Sequence, residues 1–331
     1  MNLFRLKLIP QSPWRTPWQA DTLTGRLCAM CARIHGPDFL RERLLDPMLA
    51  DKPPFVLSDA CPGDFLPVPL SIRMEEWPAE QQKVIRDARW VARATFDYLC
   101  QSHEHRPPLS ELYSDNKLMR THTCYHNTLS RFTDTTGEAD SGLGLFSLAD
   151  IHLRTHNAPQ TSNPLLNGSP YLSLYFRVDA SDTMNLLLDL LSALEETGFG
   201  ADVATGRGQF KIMGDPERMS DLDKAAADAN AIVSLSTFQP SANDPTDGLW
   251  DAFPKFGKLG PELGLDDVRK RTLILFRPGA CFRVPSPKPY LGRAIPMKEF
   301  LQLNIVEELE ARQIRVVHPA FGLALPARLS W

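Results

Sequence analysis

The chain has 331 residues, 43% of them hydrophobic, and a formal net charge of -4. That length supplies about two domains with ample core material, and no stretch approaches the roughly 18 to 20 consecutive apolar residues of a membrane span. The net acidity counts against a surface that is basic throughout, but the charge is segregated: residues 1–35 sum to +4 and residues 268–299 to +7, a pattern that permits one basic and one acidic face.

Met1 to Pro10 reads as a strand and not a secretory segment: Phe4, Leu6 and Leu8 alternate with Arg5 and Lys7. With six scattered cysteines, a reduced, cytoplasmic protein is expected. A helix follows, with Asp21 as its cap, Leu23, Leu27 and Ile34 on its buried face, and His35-Gly36-Pro37 as its stop. Cys28-Ala-Met-Cys31 lies on that apolar helix with no second cysteine pair after it, so it reads as core, not as a zinc or redox site. Pro53 to Pro69 reads as loop or short extended chain, residues 79–100 as a helix, Lys117 to Thr136 as a strand or hairpin, and Tyr171 to Val178 as a strand. Met184, Leu187, Leu188, Leu191 and Leu194 then repeat at helical spacing behind Ser181 and Asp182, either of which suits a cap.

That helix runs into Gly198-Phe-Gly200-Ala-Asp-Val-Ala-Thr-Gly206-Arg207-Gly208, and Gln209 to Met213 alternates like a strand. Phosphate-binding loops of nucleotide cofactors leave a strand and open a helix; this loop has the opposite polarity and no Gly-Lys-Ser/Thr ending, so no nucleotide cofactor is expected. Four glycines supply a backbone free to take positive φ and to approach other backbone closely, with Arg207 among them. Beyond it come strands at Ala231 to Phe238, Thr272 to Phe276, Ala280 to Val284 and Phe321 to Leu325, interrupted by a Pro/Gly/Asp-rich insertion. Strand, helix, strands, helix, glycine loop, strand is the shape of a ferredoxin-like βαββαβ domain enlarged by an insertion at about 37–170.

The glycine loop resembles the signature of the RAMP superfamily of CRISPR RNA-binding subunits. Within that superfamily the chain is similar to the fourth-subunit family of type III-A Csm complexes, a Cas-five-like group. Thr16-Pro-Trp18-Gln-Ala-Asp21-Thr-Leu-Thr-Gly25-Arg26-Leu27 resembles its first-helix motif, and Ser58-Asp59-Ala-Cys-Pro62 with Phe65-Leu-Pro-Val-Pro69 its Ser-Asp-x-x-Pro and Leu-Pro-x-Pro stretch. Asn127 to Thr136 with Gly144-Leu-Phe-Ser147, Arg271 to Phe282, and His318 to Pro326 echo later segments in the same order. The resemblance implies an α+β protein: a ferredoxin-like (RRM-like) RAMP domain over residues 1–214 with a large insertion, and a second, smaller, strand-rich ferredoxin-like domain over 215–331.

The function it implies is non-catalytic. The subunit would cap the 5′ handle of crRNA in a type III effector and dock the large polymerase-like signature subunit beside a backbone RAMP subunit, with no metal and no membrane partner. Holding a single strand needs cations for phosphates and flat groups for bases. Lys117, Arg120, His122, His126, Asn127 and Arg131 offer these on one segment, interleaved with Tyr125 and Phe132; Trp14, Arg15 and Trp18 offer them after the first strand, with Arg26 on the helix. Gly198, Gly200, Gly206, Arg207 and Gly208 complete the candidate set. Two other readings stay open. One is a crRNA-processing endoribonuclease using His122, His126, His152 or His156 as acid or base, with His122-x-Cys124-x-His126 as a possible metal triad. The other is a protein-only scaffold.

Overall fold

The computed structural model describes residues 1–101, 106–129, 134–136, 144–154, 170–224, 228–265 and 268–329. Among them the strands run in chain order β1 (Asn2–Pro10), β2 (Phe55–Leu57), β3 (Cys61–Pro62), β4 (Phe65–Pro67), β5 (Trp90–Ala92), β6 (Leu112–Tyr113), β7 (Met119–Asn127), β8 (Leu145–Leu153) and β9 (Leu172–Val178). They continue with β10 (Phe210–Arg218), β11 (Ala231–Ser234), β12 (Gly248–Leu249), β13 (Ala252–Lys255), β14 (Leu273–Phe276), β15 (Cys281–Arg283), β16 (Tyr290–Pro296) and β17 (Val317–Ala327). Two long helices, α1 (Ala20–His35) and α2 (Ser181–Thr197), separate the strands of the first sheet.

That sheet has the order β10-β1-β9-β2, antiparallel throughout, with β3 also paired to β9. Leu3, Leu6 and Leu8 of β1 are buried, and so is Arg5, whose guanidinium is held by Asp64 and Glu217, so the expected alternation of an apolar and a basic face is only partial. The second sheet, β12-β15-β11-β17-β16, is drawn wholly from the last third of the chain. Leu23, Leu27, Met30 and Cys31 of α1 join Leu6, Leu57, Leu323 and Leu325 in one core that spans both sheets. Cys28 and Cys31 are thus core residues, and desolvation pushes the Cys28 thiol up to about 12. Smaller sheets, β4-β5-β6, β7-β8 and β13-β14, decorate this body.

Several local expectations change. Asp21 does not cap α1: it lies inside the first turn, and Asp59 accepts the Ala20 N–H at 2.8 Å instead. Residues 79–100 are not one helix. Helical turns at Gln82–Asp87 and Arg93–Gln101 flank β5, because pairing Val91 between Leu66 and Leu112 buries this β-branched residue completely. Neither Ser181 nor Asp182 is the cap residue of α2: that position is Ala180, and Asp182 lies in the first turn, where its carboxylate pairs with Arg43. The strand at Ala231 ends at Ser234, while β16 and the helix Leu303–Ala311 have no counterpart in the sequence reading. Among the described residues no helix is long and apolar enough to cross a membrane.

Candidate nucleic-acid interface

β7 and β8 form a two-stranded antiparallel ribbon with a continuous nine-residue register. Residues directly opposite on an antiparallel pair share a face. One face therefore carries Arg120 opposite His152, His122 opposite Asp150, Cys124 opposite Leu148 and His126 opposite Phe146. The other carries Thr121, Thr123, Tyr125 and Asn127, with Tyr125 71% exposed. Arg120, His122 and Asn127 are exposed, while His126 stacks on Phe146 at 5.5 Å between centroids. Lys117, at the base, donates to the Leu112 carbonyl at 3.1 Å and sits over the Tyr113 ring.

The glycine loop meets the inner end of this ribbon. Trp14 exchanges both backbone hydrogen bonds with Ile151 of β8, at 3.1 and 2.8 Å. Beside that bridge, Asp150 accepts from Arg15 Nε at 2.5 Å and from Arg207 Nε at 3.1 Å. Arg15 also reaches Asp202, at 2.6 Å, inside the glycine loop. Burial would push the Asp150 carboxyl up, but the hydrogen bonds from Arg15 and Arg207 outweigh it and hold it down at about 2. Cys124 Sγ lies 3.7 Å from Asp150, and His122 Nδ1 lies 3.3 Å from that sulfur. One carboxylate thereby ties the ribbon, the chain after β1 and the glycine loop together.

The loop's shape depends on Gly208. Its φ is +68°, its N–H donates to Pro13 at 2.8 Å, its carbonyl accepts from Phe199 at 2.9 Å, and a Cβ there would overlap the Phe199 carbonyl oxygen. Gly206, at φ +81°, faces open space. Gly198 and Gly200 shape the same loop, with a Cβ at Gly200 falling 2.6 Å from Thr16 Cβ.

Of the residues singled out in the sequence, the structure gathers Arg15, His122, Arg207 and the loop glycines, and sets Arg120, His126, Asn127 and Lys117 along the adjoining ribbon. Trp14 and Trp18 are not base platforms: they are 3% and 5% exposed, and Trp18 packs against Phe199 at 4.4 Å and Phe210 at 5.1 Å, because an apolar loop residue and the start of β10 need a large ring to close on. Arg26 points elsewhere and pairs with Glu262. Arg131 and His156 lie outside the described residues. Much of the basic charge in the two segregated segments is engaged within the chain, as in Lys7–Glu217, Arg277–Asp251, Arg293–Glu299 and Lys298–Glu310. Among the described residues no group of three metal-ligating side chains clusters. Asp150 was missed by sequence reasoning; it is one acid in an unremarkable strand, and only the register reveals it.

No protein-family model and no curated protein matches the sequence. Solved structures do match, end to end. A chain of the crystal structure of a Csm1–Csm4 cassette in complex with cA4 is similar over 99% of both chains, with a TM-score of 0.61 at 16% identity. A chain of the Csm3–Csm4 subcomplex of a type III-A CRISPR-Cas interference complex is similar over 98% of this chain and 99% of that one, with a TM-score of 0.58 at 10% identity. The fold is thus of a class found in type III CRISPR assemblies. Csm4 is the component those two assemblies share, and the fold of this chain is that of a chain found in each.

Proposed function

We propose that this chain is the non-catalytic crRNA-binding subunit of a type III effector, capping the 5′ handle and docking the large signature subunit beside a backbone RAMP subunit in the cytoplasm. The observation that carries this reading is the end-to-end fold likeness to chains of a Csm1–Csm4 and a Csm3–Csm4 assembly. The sheet order β10-β1-β9-β2, with α1 and α2 as its two crossings, supports reading the first sheet as a ferredoxin-like unit. The strands of the second sheet begin at Ala231, after β10 has run to Arg218, which supports reading the last third as a second unit.

In this reading the ribbon and the glycine loop grip the handle. Arg120, Lys117 and Arg207 supply cations, His122, His126 and Asn127 supply polar edges and a flat ring, and Arg15 positions Asp150 rather than meeting RNA. Each phosphate neutralised on a single strand contributes about 0.7 to the slope of log affinity against log salt. Arg120→Ala is expected to weaken binding of repeat RNA and flatten that slope by about that amount. The test is purification of the natively expressed complex with mass spectrometry of its nucleic acid, followed by salt titration of wild type and Arg120→Ala. An unchanged slope removes the ribbon from the site. Single-site cleavage of labelled repeat RNA that disappears in His122→Ala would replace this reading with a processing nuclease.

A further inference from the structure

An antiparallel pair with one face on a core ordinarily turns polar residues to solvent on the other. The pair β13–β14 does not. Exposure alternates residue by residue from Trp250 to Lys258, and the exposed positions before Lys258 are Trp250, Ala252, Pro254 and Phe256. Ile274 lies opposite Pro254 and is 51% exposed, and Phe256 is 77% exposed. Residues opposite one another share a face, so these side chains form one apolar stripe open to solvent. The stripe is held firmly from behind. Leu273 and Leu275 turn to the other face and are buried with Phe300 and Leu309. Lys255 on that face places Nζ 2.7 Å from Gln19 Oε1 and from both Asp21 oxygens, and 2.8 Å from Thr22 Oγ1. Contiguous apolar surface on an element anchored in this way marks a contact site.

The backbone decides how a partner can lie on it. Arg277 donates to the Asp251 carbonyl across the pair, and Phe276 turns its own N–H and carbonyl outward to Phe238. The alternation of an antiparallel ladder then turns the backbone of Ala252 and Pro254 outward as well, along the edge of β13 that no strand pairs. Pro254 has no N–H to offer there, so addition of a strand is disfavoured and a partner lies across the face. From Trp250 to Phe256 the stripe runs about 20 Å at about 3.3 Å per residue, the length of about thirteen residues of helix. Ala252, Pro254 and Ile274 give nucleic-acid bases no ring to stack on, which favours protein over RNA. Charge sets the direction. Beyond Phe256, Lys258 faces Arg269 across the pair, and the exposed Arg271 makes no ion pair among the described residues. The complementary surface is an apolar helix face with carboxylates at the end that meets Arg271.

We propose that the outer face of β13–β14 is the docking surface for an amphipathic helix of the large signature subunit, with the helix's apolar side on Ile274 and Phe256 and a carboxylate on Arg271. This rests on the docking reading above and gives it a surface.

The test titrates the purified full chain with the purified large subunit by calorimetry, in wild type, Ile274→Asp, Phe256→Ser and Arg271→Glu. All three side chains are exposed, so melting temperatures should stay close to wild type. Ile274→Asp and Phe256→Ser should each weaken binding by about thirtyfold, as central apolar anchors do, and Arg271→Glu by about fivefold or less, as a rim charge does. Hydrogen exchange in the large subunit should slow in one helix with carboxylates at one end. Unchanged affinity in Ile274→Asp and Phe256→Ser, with wild type binding tightly, overturns the surface and leaves the docking reading intact. A wild-type chain that does not bind the large subunit overturns the docking reading and the surface with it. Variants that keep subunit binding but lose repeat-RNA binding overturn the proposal in favour of an RNA surface, and exchange protection in a strand or loop of the subunit overturns the helical occupant.

Discussion

Asp21 and Asp150 each gather cations from distant parts of the chain, Asp21 inside the protein and Asp150 at the root of a protruding ribbon. Asp21, with a side chain 0% exposed, takes Lys255 of β13 at 2.7 Å and lies 3.1 Å from His318 Nε2 of β17. Lys270 Nζ lies 3.0 Å from His318 Nδ1; an ammonium only donates, so Nδ1 accepts and the ring proton sits on Nε2, facing Asp21. Burial pushes Lys270 down to about 8, and it lowers His318 as well, while the hydrogen bond with His318 and the charge of Lys255 keep Asp21 below the usual carboxylate range against its own desolvation. Asp150 holds two arginines, one of them 29% exposed, where solvent and ligand can compete. The first carboxylate fastens α1 to the second sheet; the second aligns a candidate binding surface. A motif conspicuous in sequence can therefore be mainly structural, while the residue that organises a site passes unmarked.

The sharpest way to break this contrast is Asp21→Ala. Lys255 and His318 would be left in the interior without their carboxylate, a loss expected to cost about 3–5 kcal/mol. Chemical denaturation checks it, and a loss below about 1 kcal/mol would show that the buried cluster is not fastening the two sheets. Next in size is Gly208→Ala. Positive φ and the overlap with the Phe199 carbonyl together should cost about 3 kcal/mol, against about 1 kcal/mol for Gly206→Ala, whose Cβ enters open space. Equal melting shifts for the two variants would mean that conformation alone, not the close approach, sets the loop.

A third test concerns pH. Asp59 is buried at the junction of α1 and the second sheet, where Oδ1 accepts from the Ala20 and Thr237 N–H groups and Oδ2 meets the Thr237 hydroxyl. Burial outweighs those bonds and raises its carboxyl to about 6. With the folded value above the unfolded one, the native state binds the extra proton between about pH 4 and 6, so this group's stabilisation is full below about 4 and lost as pH rises through 6. The change is about 3 kcal/mol in order of magnitude. Asp59→Asn can keep all three contacts, with its oxygen toward the two N–H groups and its amide toward the hydroxyl, and should flatten stability across that window. A variant with the same slope as wild type would assign the titration elsewhere.

How far the sequence carried is best seen in particular elements. β1, α1, β9, α2 and the strand after the glycine loop were legible because each has a long periodic apolar pattern, and the loop was legible because glycine marks backbone need. The break at β5 was not, since Val84, Ala88 and Val91 also fit a helical stripe and only pairing with β4 and β6 decides between them. The burial of Trp14 and Trp18 was hidden by neighbouring prolines that suggest a loop; the loop exists, yet its rings turn inward. Asp150 required the register of two strands joined across residues 128–144, a relation that no local pattern encodes.

Asp150→Asn probes the other half of the comparison with the smallest expected effect on stability. Arg15 keeps Asp202 and Arg207 is partly in solvent, but Asp150 itself is buried and its carboxyl is held down at about 2, so the loss should be about 2 kcal/mol. The consequence should also be local. With the charge gone, nothing holds both arginines against β8, and exchange of the Trp14 and Ile151 amide protons, which close the bridge between the ribbon and the body, should quicken relative to amides of β1 and β9. Acid should mimic the change in the wild type: with the folded value depressed to about 2, the contribution of Asp150 is present above about pH 4 and lost as pH falls toward 2, the reverse of Asp59. If exchange at Trp14 and Ile151 is unaltered in Asp150→Asn, the backbone bridge alone fixes the ribbon, and the two arginines are freed from a structural role to serve RNA directly.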